Sequence, residues 1–313
     1  MLAFGQVSKQ SAPDAPQADR AKPDRAKPDR IQTMRVDVDL VLLNATVTDS
    51  SNRFVTGLRQ DDFKVWEDKI EQKIDYFSSE NVPLSVGIIF DISGSMADKV
   101  KAAVTAATTF LRMTDPEDEY FLVQFSDSPS LTQDFTTDIT KLQSQLLFTK
   151  AKGRTSLYDA LYLGLEKISH GRNSRKALLV ITDGEDNHSR YSLGNVREFA
   201  REHDVMIYGI GIINPMEEQY GGFQGRGVLS NLANLTGGDA FFPESVQALP
   251  GICAQIGLDL KTQYLLGYKS QNFSSDGKWR KIRVKINAEN RRASLKVRAK
   301  QGYYAPTASR AMR

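Results

Sequence analysis

An apolar run at residues 84–90 most strongly constrains the fold, because it leads directly into the polar sequence DISGS at residues 91–95. The run is rich in β-branched residues and has no helical period, which predicts a buried strand of a parallel sheet. Beyond it, apolar residues recur with helical spacing at Val100, Val104, Ala107 and Leu111. Asp91 is therefore predicted to end a strand, at the edge where open α/β sheets bind ligands.

Asp91, Ser93 and Ser95 present one carboxylate and two hydroxyls in the turn between this strand and the helix. Oxygen ligands of this kind suit a hard cation such as Mg²⁺, Mn²⁺ or Ca²⁺. The same residues would also suit a helix cap, with Ser95 as the capping residue and Asp91 facing the helix dipole. Residues later in the chain favour the metal site over the cap.

Two further polar segments are expected at the same edge of the sheet. Thr155 is the last residue of a polar loop before a predicted helix, and Asp183 ends a second apolar strand at residues 177–183. The carboxyl ends of parallel strands share one edge of a sheet, so these side chains are predicted to converge. The predicted metal ligands are Asp91, Ser93, Ser95, Thr155 and Asp183.

The sequences DISGSM, GRTSLYDAL and ITDGED resemble, in order, the metal-ion-dependent adhesion site of von Willebrand factor A domains. The resemblance covers residues 82–260 and departs from the family pattern at Arg154, where many members have Gly. It implies that the five predicted ligands hold a divalent cation, Mg²⁺ or alternatively Mn²⁺ or Ca²⁺. It also implies that a protein partner completes the coordination of this cation with an Asp or Glu side chain.

Strands and helices alternate along residues 82–260, which predicts right-handed crossovers and a doubly wound, mostly parallel sheet of Rossmann-like type with six strands. Segments 34–80 and 261–306 instead contain short β-strands, and each segment is too small to form a core alone. We predict that they combine in one β-sandwich into which the α/β domain is inserted. Single strands are expected at residues 54–55 and 72–77.

The ends of the chain differ from these folded segments. Residues 1–33 contain a five-residue repeat rich in Pro and charge, which predicts a disordered tail, and residues 307–313 form a second tail. The sequences DFKVWEDKIEQKIDYF and VRAKQGYYAP are similar to those of the VWFA-related domain proteins abundant in acidobacteria, although Lys69 replaces the expected Gly. The start is too short for a signal peptide, and we expect a secreted or periplasmic protein whose leader has been removed.

Charge is distributed unevenly along the chain. Residues 261–313 carry fourteen Lys or Arg and two Asp or Glu, although the net charge of the whole chain is only +3. Two predicted strands each have a basic face, and together these faces contain Lys281, Arg283, Lys285, Lys296, Arg298 and Lys300. This basic patch would be either a solvated face that discourages edge pairing or a site for an anionic surface such as glycan, phospholipid or nucleic acid.

A long loop at residues 214–227 follows a predicted strand and should rise at the same edge as the metal ligands. We interpret it as a specificity loop, with a disordered surface excursion as the alternative. Its candidate residues are Glu217, Glu218, Tyr220 and Phe223. Glu185 and Asp186, just beyond Asp183, would either hold a second cation or be exposed acids.

The motifs favour a non-enzymatic, cation-dependent protein-binding module. The alternatives are a scaffold subunit of a multiprotein machine, similar to those of metal chelatases, and a metal-dependent hydrolase that would need His188 for a triad. A phosphotransferase would need a carboxylate where Ser93 stands, and the sequence has no G-x-S-x-G elbow and no G-x-G-x-x-G after the first strand. Dinucleotides and nucleic acid are not expected as partners.

Two features of the sequence concern membrane insertion and disulfide formation. No apolar run reaches the roughly 18 residues of a membrane-spanning helix, so no membrane span is predicted. The single cysteine, Cys253, excludes an intramolecular disulfide and is expected to be a small buried residue of a helix.

Overall fold

The computed structural model describes residues 40–113, 115–183, 186–212, 225–287 and 294–307, all within one unit of the chain. The predicted tail at residues 1–33 lies outside them, as do the loop candidates Glu217, Glu218, Tyr220 and Phe223. No helix in the described segments combines the length and apolar character needed to cross a membrane.

Strands and helices occur in the following order along the chain. The strands are β1 (Leu40–Thr48), β2 (Phe63–Glu67), β3 (Ile70–Gln72), β4 (Ile74–Ser78), β5 (Leu84–Asp91), β6 (Glu119–Phe125), β7 (Pro129–Thr136), β8 (Arg175–Thr182), β9 (Met206–Gly211), β10 (Ala240–Phe241), β11 (Tyr264–Lys269), β12 (Trp279–Ile286), β13 (Lys296–Ala299) and β14 (Gly302–Tyr304). The described helices are α1 (Val100–Arg112), α2 (Ile139–Leu147), α3 (Leu157–Ser169), α4 (Leu193–Glu202), α5 (Gly225–Thr236) and α6 (Leu249–Lys261).

The centre of the α/β domain is a six-stranded sheet with the order β10-β9-β8-β5-β6-β7. Its neighbouring strands are parallel except for β7, which pairs antiparallel with β6 at one edge. Apolar residues of α1, α2 and α6 cover one face, and those of α3, α4 and α5 cover the other. Burial on both faces explains the continuous apolar runs of β5 and β8. The predicted doubly wound, mostly parallel fold is confirmed.

The flanking segments form two four-stranded antiparallel sheets, with the orders β13-β1-β11-β4 and β14-β12-β2-β3. Each sheet combines strands from before and after the α/β domain, so neither flank could form its sheet alone. Side chains from both sheets share one apolar core that includes Leu43, Val65, Tyr264, Leu266 and Ile282. These two antiparallel sheets, built from strands on both sides of the α/β domain, support the predicted β-sandwich.

Some predicted elements were wrong in their bounds. The predicted strand at residues 72–77 is divided at Lys73, because β3 folds back onto β2 while β4 pairs with β11 in the other sheet. A tight turn at Asp68 and Lys69, with φ of 46° and 76°, produces this hairpin. The predicted strand at residues 54–55 is only a single bridge between Thr48 and Phe54.

Two differences concern the later part of the chain. The loop predicted at residues 214–227 overlaps α5, which begins at Gly225, so residues 225–227 belong to this helix rather than to the loop. The short strand β14 was not predicted from the sequence, because its small run GYY has no alternation to distinguish it from a loop. It pairs with the start of β12.

A buried polar network joins the sandwich to the α/β domain. Asp259 of α6 accepts hydrogen bonds from the Thr46 hydroxyl at 2.6 Å and from the Tyr208 hydroxyl at 3.1 Å. The guanidinium of Arg298, on β13, donates to the same carboxylate and also to Asp239 at 2.9 Å. These bonds satisfy a carboxylate that is only 2% exposed, and buried ions require such partners.

Candidate metal centre

The turn after β5 is held between two neighbouring loops. The backbone N–H of Ile92 donates to Phe125 O at 2.8 Å, and the N–H of Lys152 donates to Ile92 O at 2.8 Å. Gly94 N–H donates to Gly153 O at 3.0 Å. A Cβ atom at Gly94 would lie 3.3 Å from that oxygen, so glycine allows the close approach of the two loops.

Hydrogen bonds connect four of the five predicted ligands. Asp91 Oδ1 accepts from the N–H of Ser93 at 2.8 Å, and the hydroxyls of Ser93 and Ser95 are 3.1 Å apart. The Ser95 hydroxyl donates to Asp183 Oδ1 at 2.8 Å, although these two residues are 88 positions apart in sequence. The carboxyl ends of β5 and β8 therefore bring their polar side chains together at one edge of the sheet.

Thr155, the fifth predicted ligand, is placed beside this cluster by its backbone. It is buried, its N–H donates to Asn187 Oδ1 at 3.0 Å, and its carbonyl accepts from the N–H of Asn187 and of His188. Its loop contacts the serine turn through the bond between Gly94 and Gly153. Within the described residues the Thr155 hydroxyl makes no hydrogen bond, so its oxygen remains available as a ligand.

Burial has the largest effect on the ionisation of Asp91. Burial raises the pKa of Asp91 from 3.8 to about 6, and the charge of nearby Asp183 acts in the same direction. Hydrogen bonds from Thr182, whose hydroxyl is 2.5 Å from Asp91 Oδ2, and from Ser93 lower the pKa and offset part of the increase. A cation would favour the ionised form of Asp91.

Lys99 supplies a positive charge to the cluster that the sequence reasoning missed. Its ammonium lies 2.6 Å from Asp183 Oδ2, and the side chains of Lys99 and Asp183 are 14% and 0% exposed. Lys99 immediately precedes α1, one helical turn after Ser95, and this spacing was the available signal. The cluster thus accommodates a cationic group against the carboxylate that was predicted to hold a metal.

A comparison with known families identifies this arrangement. Residues 86–185, which contain all five predicted ligands, match the family model of the von Willebrand factor type A domain. The chain carries a von Willebrand factor type A domain. A search of curated proteins found no significant match.

Two solved structures with TM-scores of at least 0.50 share the fold of this chain. The von Willebrand factor type A protein from Catenulispora acidiphila has a TM-score of 0.50 and 11% identity, over 87% of this chain and 75% of that chain. Proximal thread matrix protein 1 from the mussel byssus has a TM-score of 0.51 and 17% identity, over 62% of this chain and 51% of that chain. A mutant of the PilB minor pilin from Streptococcus sanguinis has a TM-score of 0.48 and 14% identity, over 59% of this chain and 63% of that chain. The chain thus spans less than two thirds of the pilin.

Two further residues shape the Thr155 loop of the A domain: Gly153, the first residue of the GRTSLYDAL motif, and Asp127, which sequence reasoning missed. Gly153 has a φ of 83°, and a Cβ there would lie 2.6 Å from Asp127 Oδ2. The other oxygen of Asp127 accepts from the N–H of Arg154 at 2.9 Å. The left-handed residue is therefore Gly153, and Arg154 can replace the Gly of many family members without backbone strain. Nothing in the spacing of Asp127 indicated this contact.

The remaining polar candidates have other partners. His188, the candidate for a triad, is exposed and lies 3.2 Å from the guanidinium of Arg154. Asp186 accepts from the N–H of Tyr158 and the hydroxyl of Ser189, so it caps the start of α3 rather than standing as a free exposed acid. Glu185 lies outside the described residues.

The described residues contain no group of three or more His, Cys, Asp or Glu side chains that could hold a metal ion. The predicted metal site would not form such a group, because it contains only two of these side chains, Asp91 and Asp183. Its other three ligands are hydroxyls. A site with so few formal negative charges differs from the acidic cages that bind Ca²⁺ through many carboxylates.

The six residues of the predicted basic patch have different surroundings on the two strands. On β12, Lys281, Arg283 and Lys285 are exposed. On β13, Arg298 binds Asp239 and Asp259, while Lys300, just past the strand, pairs with Asp204 at 2.9 Å. Lys296 is exposed. Two members of the predicted patch therefore hold the sandwich against the A domain.

Proposed function

We propose that this protein is a non-enzymatic, divalent-cation-dependent protein-binding module. The observation that carries the proposal is the hydrogen bond between Ser95 and Asp183, which joins the ends of β5 and β8 into one oxygen-rich cluster. A von Willebrand factor type A domain supports a binding role, since such domains are often protein-interaction modules. The metal and its dependence rest on the donor chemistry of the cluster.

The residues of the cluster fit a small hard cation. Carboxylate and hydroxyl oxygens are the donors that Mg²⁺ prefers, with Mn²⁺ and Ca²⁺ as alternatives. The Lys99 ammonium beside Asp183 supports the proposal, because it places a positive charge against this carboxylate. Asp91, Ser93, Ser95, Thr155 and Asp183 would hold the cation. A bound cation would supply an electrophilic position that the Asp or Glu of a protein partner fills.

The protein residues keep this position attractive to an outside carboxylate. Only Asp91 and Asp183 bring negative charge, and Asp91 already shares its carboxylate with Thr182 and Ser93. Asp91 and Asp183 together carry two negative charges and Lys99 beside them carries one positive charge, so a divalent charge would be incompletely neutralised by the site. His188 contacts Arg154 rather than a serine, which supports binding rather than hydrolysis. We also propose a secreted or periplasmic location, on the resemblance to the VWFA-related domain proteins of acidobacteria.

The metal site is tested by thermal unfolding with Mg²⁺ or with EDTA. Mg²⁺ at a hundredfold its dissociation constant should stabilise the wild type by about 2.7 kcal/mol. Asp91→Asn, which retains an acceptor for Thr182, should fold normally and lose this response. Asp138→Asn is the matched control, because Asp138 caps the exposed start of α2. Equal responses to Mg²⁺ in the wild type and Asp91→Asn would refute the site.

The role of the metal in binding is tested by affinity capture from native extracts. The wild type in Mg²⁺ should retain a partner that is released by EDTA and that Asp91→Asn does not retain. A partner retained equally in EDTA would instead support a metal-independent scaffold, and the cation-dependent proposal would fail.

A further inference from the structure

The outer face of the sheet β14-β12-β2-β3 contains a cavity of about 470 Å³. One indole and four cationic side chains line it: Trp66, Lys69, Lys281, Arg283 and Lys285. Arg283 lies directly across from Trp66 in the strand register, while the alternate residues Val65 and Ile282 face the sandwich core. The volume is typical of small-ligand sites, which span roughly 300–1,000 Å³.

The positive charges that line this cavity have no ion-pair partner among the residues that the structure describes. In the described part of the chain none of the four cations pairs with a carboxylate; Asp68 is near, but it accepts from the backbone N–H of Lys281. The ammonium of Lys285 lies 5.6 Å from the centroid of the Trp66 ring. Four cations that line one cavity repel one another, so an anionic ligand would lower the electrostatic energy of the face.

The position of the cavity disfavours an extended acidic peptide. Such peptides commonly add to an open sheet edge through main-chain hydrogen bonds. Here the lining residues Trp66 and Arg283 belong to β2 and β12, which are the two central strands of the sheet. The ligand must therefore approach side chains on the face of the sheet.

The single aromatic side chain disfavours a nucleic-acid strand. Single-stranded nucleic acids stack successive bases on several aromatic rings. Trp66 is the one aromatic residue in the described lining of the cavity. Trp279, on the same strand as Arg283, packs instead on Tyr304 with ring centroids 5.1 Å apart and on the guanidinium of Arg201 at 5.0 Å.

We propose that this cavity binds an acidic oligosaccharide whose sugar carboxylates pair with the cations while one ring packs on Trp66. The planar guanidinium of Arg283 suits a bidentate carboxylate, and the lysines act as adjustable point charges. The indole adds a flat apolar surface for the C–H face of a sugar ring. This site is separate from the metal centre and requires no metal.

The test uses the fluorescence of Trp66. The chain has two tryptophans, so Trp279→Phe leaves Trp66 as the sole indole emitter. Titration with tetragalacturonate in EDTA should change this emission, and the affinity should fall at least about tenfold from low to physiological ionic strength. In the same background, Arg283→Gln should weaken binding roughly tenfold. Lys296→Gln, at an exposed lysine of β13 outside the cavity, is the matched control and should have no effect.

Several outcomes would overturn the proposal. Fully methyl-esterified tetragalacturonate is the same sugar without charge, so equally tight binding of the ester would exclude recognition through carboxylates. Tighter binding of oligouridylate or polyglutamate would assign the cavity to nucleic acid or acidic protein instead. Absence of an emission change, or unchanged affinity in folded Arg283→Gln, would also overturn it. Lys281→Gln replaces Arg283→Gln if circular dichroism shows that the latter is unfolded.

Discussion

Asp183 and Asp259 are both buried carboxylates that contact a basic side chain from another part of the chain, but their surroundings differ. Asp259 is bound by Thr46, Tyr208 and Arg298, so hydroxyls and a guanidinium satisfy it together. Asp183 contacts the hydroxyl of Ser95 and the ammonium of Lys99. Asp259 lies at the joint between the domains, and Asp183 lies at the carboxyl edge of the six-stranded sheet.

The difference shows how one kind of ion pair can serve two purposes. The planar fork of Arg298 reaches two acids at once, Asp239 and Asp259, and this geometry fixes the sandwich against the A domain. Lys99 is a point charge on a flexible stem, and it contributes a single contact to Asp183. A divalent cation could replace that ammonium without disturbing the backbone, so we interpret the Asp183 pair as exchangeable and the Asp259 pair as permanent.

The largest change in stability is expected when the ion pair between Arg298 and Asp259 is broken. Arg298→Met should lower the free energy of unfolding by about 3–5 kcal/mol, because it leaves the buried charge of Asp259 without its cation. Denaturant unfolding measures this change. Arg283→Met, at an exposed arginine on β12, is the matched control and should change stability by less than about 0.5 kcal/mol. Equal effects of the two substitutions would show that Arg298 is not structural.

Chemical labelling of Cys253 can measure opening of the joint between the sandwich and the A domain, because Cys253 lies on α6 together with Asp259. Burial raises the pKa of its thiol to about 12, so the thiol should remain protonated and unreactive towards iodoacetamide in the native protein at pH 8. Labelling then requires opening of the structure, and Arg298→Met should accelerate it at least about a hundredfold. Mass spectrometry over time measures the rate. Rapid labelling of the wild type would contradict the buried position of this residue.

The exchangeable pair is tested by Lys99→Met. Removing the ammonium should destabilise the metal-free protein by roughly 1–3 kcal/mol, since Asp183 loses a charged partner. It should also tighten Mg²⁺ binding roughly tenfold, because the internal cation no longer competes. Isothermal titration of Mg²⁺ measures this affinity. Unchanged or weaker Mg²⁺ binding in folded Lys99→Met would remove the distinction between the two pairs.

The smallest change in stability is expected at Lys69, which contacts neither Asp183 nor Asp259. Lys69 has a φ of 76°, a left-handed conformation that costs residues with a Cβ roughly 1–2 kcal/mol. Lys69→Gly should therefore raise the free energy of unfolding by about 1 kcal/mol without altering the response to Mg²⁺. Denaturant unfolding with and without Mg²⁺ checks both statements. A loss of stability would indicate that the side chain of Lys69 contributes more than its backbone costs.

Much of the architecture could be predicted because it depends on local patterns. Continuous apolar runs predicted β5 and β8, and helical spacing predicted α1, since burial on two faces or on one stripe determines which positions must be apolar. The strand at residues 72–77 was predicted wrongly because its alternation is the same whether it pairs in one sheet or in two. The carboxyl ends of two parallel strands also brought Asp91 and Asp183 to one edge.

Ion-pair partners, in contrast, could not be predicted from the sequence. The strands β12 and β13 show the same alternation of basic and apolar residues, yet Arg298 is bound by Asp259 while Arg283 faces an open cavity. Periodicity specifies which face of a strand is polar, but it contains no information on what approaches that face from elsewhere in the chain. The sequence alone therefore determined the α/β fold, its flanking strands and the candidate ligands. Only the tertiary structure decided which charges are neutralised, because electrostatic energy depends on distances in space.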